Sequence, residues 1–129
     1  MPTTEQVLAT LEAYVKNFSA GDRAGWVGLF APDAVQEDPV GSPANVGHEA
    51  IGTFYDAMLA GGTPQLSFLQ DPIICGDEAI MFLTACTGEG DGQVRVPQIV
   101  DHVRLDDEAR ITSLRAFWDP TKMEFGPAS

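Results

Sequence analysis

With 129 residues, the chain has the usual length of one domain and can bury about two-thirds of the surface its extended form would expose. Its 19 acidic residues against 7 basic ones give a formal net charge of -12, which argues against nucleic acid, membrane surfaces and anionic substrates as partners. Cys75 and Cys86 form no disulfide framework and no metal-ligand cluster, and both are expected to be reduced and mostly buried.

The sequence opens without a basic stretch leading into an apolar core, and no apolar run has the length of a membrane span. One cytoplasmic domain over residues 1–129 is the expectation. From Thr3 onward, Val7, Leu8, Leu11, Tyr14, Val15 and Phe18 fall at helical spacing, with Thr3 and Gln6 suited to a capping box and Gly21 to a stop. Asp22 then suits the cap of a shorter helix carrying Trp26, Val27, Leu29 and Phe30 and ending at Pro32.

Residues 34–38 read as a short extended segment, because Pro39 disfavours the helical region for Asp38. A turn-rich loop follows over 39–43. A third helix then carries Ile51, Phe54, Tyr55, Met58 and Leu59, closed by Gly61 and Gly62. The second half changes to strands at 65–69, 73–75, 79–87, 94–105 and 111–118, with hairpin turns at 88–92 and 106–110. Helices followed by a meander of strands make an α+β pattern.

The strand through Asp101 carries the most chemistry. Side chains alternate faces along a strand, so Ile99, Asp101, Val103 and Leu105 share one face, while Gln98, Val100, His102 and Arg104 share the other. An acid among three aliphatics is costly to ionise; kept protonated, it becomes a hydrogen-bond donor. The alternative is a slip of parity near Pro97 that leaves Asp101 outward, paired with Arg104 or Arg115.

Tyr14 lies on the apolar stripe of the first helix, so its ring should be buried and its hydroxyl needs a partner. Asp38 stands at the end of its extended segment with Glu37 as an equally acidic competitor, and alternation does not decide between them. Two histidines and two cysteines assemble no nucleophilic triad or metal set, and no Gly-rich phosphate loop is present. Carboxyl and phenol chemistry remains, which points to proton transfer without a cofactor.

Taken together, Tyr14-Val15, the run from Leu29 to Ala34, Glu37-Asp38-Pro39-Val40-Gly41-Ser42, Phe54-Tyr55 and Asp101-His102 resemble bacterial ketosteroid isomerases of the nuclear-transport-factor-like superfamily. The resemblance implies a cone-shaped α+β fold, with three helices packed on a strongly curved, mostly antiparallel sheet around an apolar cavity. It also implies Tyr14 as oxyanion donor, Asp38 as general base, Asp101 as protonated second donor, no cofactor, a steroid substrate and a homodimer. Val15, Phe30, Phe54, Tyr55, Met58, Met81, Phe82, Val100, Val103, Phe117 and Trp118 are the cavity candidates. Tyr55 is expected to support the Tyr14 hydroxyl. The superfamily also hosts hydrolases, cyclases and non-enzymatic ligand-binding or dimerisation modules.

Overall fold

The computed structural model describes residues 1–127. Its first helix, α1 (Thr4–Ser19), starts where the capping box requires: the Gln6 amide donates to Thr3 Oγ1 at 3.1 Å and the Thr3 amide to Gln6 Oε1 at 2.8 Å. The stripe Val7, Leu11, Tyr14 and Phe18 is buried. Asp22 caps α2 (Arg23–Val27) through the Gly25 amide.

The expected extension of this helix to Pro32 does not occur. α2 ends at Gly28, and Phe30 instead opens β1 (Phe30–Glu37), where it pairs with Ile111. Helical spacing of apolar residues was the local signal, but sheet pairing across 81 positions of sequence overrides it. A two-residue strand, β2 (Asn45–Val46), leads directly into α3 (Gly47–Leu59), whose Ile51 and Tyr55 reach the core.

The second half consists of β3 (Gln65–Cys75), β4 (Glu78–Thr87), β5 (Val94–Leu105), β6 (Ile111–Phe117) and the short β7 (Glu124–Phe125). The two strands expected at 65–69 and 73–75 are one strand, irregular in register around Gln70. Pro72 is tolerated inside it because β3 is the edge of the sheet, where a missing amide need not cost a ladder bond. Cys75, expected to be buried, ends this edge strand and is exposed.

Strand order is β2-β1-β6-β5-β4-β3, antiparallel except for the parallel β1–β6 pair. The fold is thus α+β, with three helices packed on a curved sheet that does not close. Trp26 lies at the centre of an aromatic cluster, with its ring centroid 4.9 Å from Phe30 and 5.1 Å from Tyr55. No helix among the described residues is long and apolar enough to cross a membrane.

Candidate active site

Between the helices and the concave face of the sheet lies an apolar cavity of about 240 Å³. Three polar groups enter it from three different elements: Tyr14 from α1, Asp38 just past β1, and Asp101 from β5. The register of β5 does shift between Val96 and Ile99, around Pro97, but the shift lies before Asp101 and does not turn it outward: Asp101 sits opposite Met81 and Ala116 and is only 2% exposed, while Gln98 and Arg104 face outward. His102 also turns outward and meets Glu78 at 2.7 Å.

Burial among aliphatic side chains pushes the Asp101 carboxyl well above the ordinary carboxylate range. The charge of Asp38 adds to that, while hydrogen bonding to Tyr14 opposes it. Its Oδ1 has no hydrogen-bond partner among the described residues. Protonated at that oxygen, the acid is a donor free among the described residues to meet a ligand oxygen. The Tyr14 hydroxyl is likewise held neutral, chiefly by burial, with the charge of Asp38 adding to it.

Asp38 differs. It is partly exposed at the cavity wall and its pKa is pushed up to about 6, chiefly by burial, with a hydrogen bond from the Trp118 indole (Nε1 to Oδ1, 2.7 Å) pulling the other way. Glu37 points to the opposite side of β1 and pairs with Arg115 at 3.3 Å. Two neighbouring acids are thus separated by the sheet: one meets the cavity and the other a cation.

Of the expected cavity residues, Phe54, Met58 and Trp118 line it. Phe30, Tyr55, Met81 and Val103 are packed in the core instead, each at most 1% exposed, and Val15 packs half-buried against that core. Phe82, Val100 and Phe117 are on the far side of the sheet. Phe82 follows Met81 on β4 and pairs with Val100, so alternation sends it outward; Phe117 pairs with the same Val100 and is 45% exposed. The Tyr55 hydroxyl does not support Tyr14, because it donates to the Phe18 carbonyl at 3.4 Å.

Sequence reading missed much of the wall: Phe18, Leu66, Leu83, Val96, Ile99 and Met123. Ile99 was within reach, since it shares the Asp101 face of β5. Met123 was not, because it lies on a segment with no clear periodicity. Among the described residues, no group of three or more His, Cys, Asp or Glu side chains is placed to hold a metal ion.

A curved sheet under three helices, with unlike carboxyls in an apolar cavity, is the setting in which the comparisons with known proteins fall. The chain belongs to the SnoaL-like domain family, whose profile matches residues 11–114. It is 37% identical over 123 residues to the steroid Delta-isomerase of Nocardioides simplex, covering 95% of this chain and 98% of that protein. The crystal structure of RV0760c from Mycobacterium tuberculosis is similar with a TM-score of 0.84 and 27% identity, covering 98% of this chain and 100% of that one.

Proposed function

We propose that this chain is a cofactor-independent steroid isomerase that converts Δ5-3-ketosteroids into Δ4-3-ketosteroids. The observation that carries the reading is the pairing, in one apolar cavity, of a buried acid held neutral, Asp101, with a second acid, Asp38, that ionises near pH 6. The likeness to a protein named steroid Delta-isomerase supports it.

In this mechanism the Asp38 carboxylate removes a proton from C4, and the electron pair moves through C3 onto the ketone oxygen, giving a dienolate. Tyr14 and protonated Asp101 donate hydrogen bonds to that oxygen as its charge develops, where prepositioned donors lower a barrier most. The protonated Asp38 then returns its proton at C6, the C3 carbonyl re-forms, and the double bond lies between C4 and C5. A base with a pKa near the working pH suits both halves, since it must take a proton and release it.

The outer face of the sheet, where Val100 and the exposed Phe117 stand together, is the surface proposed to pair two copies into a homodimer. The test of the reaction is the absorbance of the conjugated enone formed from 5-androstene-3,17-dione, without added metal or nucleotide. Asp38→Asn should slow it at least about 100-fold. An unchanged rate would remove Asp38 as the base.

A further inference from the structure

The chain continues past Trp118 and returns across the sheet. Asp119 Oδ1 accepts from the Thr121 amide at 2.9 Å and its hydroxyl at 2.7 Å, starting a single 3-10 turn over Pro120–Lys122. β7 then lies along the part of β5 that β6 leaves unpaired, with Glu124 opposite Arg95 and Phe125 opposite Val94. The Gly126 amide donates to the Gln93 carbonyl at 2.8 Å. Arg95 ties this strap down, since its guanidinium meets Glu124 at 3.3 Å and also bonds the Gln93 side chain and the Gly126 carbonyl.

Within the strap, Thr121, Lys122, Glu124 and Phe125 are exposed, whereas Met123 between them is half-buried and lines the cavity. The strap therefore turns one long apolar side chain inward. Antiparallel pairing of Glu124 with Arg95 puts Met123 near the level of Val96. Asp101 is five residues further along β5, about 16 Å of strand. The cavity thus has a polar end at Tyr14, Asp38 and Asp101, and an apolar far end where Val94, Thr87, Pro64 and Met123 converge.

We propose that Met123 determines specificity: it forms the wall against the part of the substrate farthest from the reacting ketone. The Arg95-anchored strap thereby sets which substituents are admitted there. This inference rests on the steroid reading above and deepens it. A thioether chain suits the position, because it fills irregular space by rotamer adjustment and presents no polar atom that needs a strong partner. The ligand feature it discriminates is the ring substituent at the distal end, a small ketone against a two-carbon side chain.

The experiment compares 5-androstene-3,17-dione with 5-pregnene-3,20-dione on the wild type, Met123→Ala and Met123→Trp, all three checked for folding by thermal melts. The ratio of kcat/KM values should shift about tenfold toward the pregnene for Met123→Ala, the scale of a few missing methylenes in a pocket. It should shift against the pregnene for Met123→Trp. Binding of the two corresponding Δ4-3-ketones, read by quenching of tryptophan fluorescence, provides a readout that needs no chemistry. If binding shifts in the same directions while no variant and no wild type isomerises, the reaction fails and the role of Met123 stands. If isomerisation proceeds and both ratios stay within about twofold of wild type, the role of Met123 is overturned. Failure of the wild type to bind either Δ4-3-ketone would overturn both readings.

Discussion

The indole Nε1 of Trp118 donates to Oδ1 of Asp38 at 2.7 Å, joining the residue after β6 to the residue after β1 across 80 positions of sequence. This is the one side-chain hydrogen bond that Asp38 receives among the described residues, and it opposes the effect of burial on the carboxyl. A donor to the charged form lowers a pKa and fixes the carboxylate in one orientation. Trp118 is therefore a positioning residue for the proposed base as well as part of the cavity wall.

Replacing that donor should be visible in the pH profile. In Trp118→Phe, burial acts on Asp38 unopposed, so its pKa rises from about 6 and the acid limb of kcat/KM should move up by about one pH unit. Measuring kcat/KM from pH 4.5 to 9 checks this. An equal loss at every pH would assign Trp118 to packing alone.

Asp38 should also cost stability when it ionises. Its native pKa near 6 lies above the unfolded value of about 3.9. For this group, stability is fully present below pH 4, falls as pH rises through 6, and stays lower above that. Allowing for solvent screening of a partly exposed group, the loss is about 2 kcal/mol. Asp38→Asn removes the titration, so its stability advantage over wild type should widen between pH 4.5 and pH 7.5 in urea unfolding. A constant gap would mean that Asp38 ionises as easily in the folded chain as in the unfolded one.

For Asp101 the informative contrast is between two substitutions. Asp101→Leu removes the donor and should cost about 100-fold or more in kcat, whereas Asp101→Asn keeps a donor at the same place and should retain more activity. Steady-state kinetics at pH 7 decide it. Equal losses would argue against a neutral, donating Asp101.

The proposed dimer face is tested by charge. Phe117 is 45% exposed, with the Arg115 guanidinium 5.4 Å from its ring centroid, and its side chain is directed away from the cavity. Phe117→Glu should turn a dimer into a monomer by light scattering, because two copies of the new charge would meet across a two-fold axis. A wild type that is monomeric at micromolar concentration would remove the dimer.

Local chemistry decided a good deal of this protein before any folding was considered. The capping box at Thr3 and Gln6, the buried stripe of α1 and the inward parity of Asp101 on β5 all depend on residues within one element, and helical and strand periods report those directly. What only tertiary structure decided involves residues far apart in sequence. Phe30 left a helical pattern for a strand because Ile111 was there to pair with it. Glu37 and Asp38 were equivalent until the Arg115 side chain took one on the outer side of the sheet and the Trp118 indole took the other at the cavity. Met123 gained its place only when β7 paired with β5. Periodicity shows which face of an element is apolar, but not what lies across from it, and the placing of a base, a wall or a strap is set by that opposing surface.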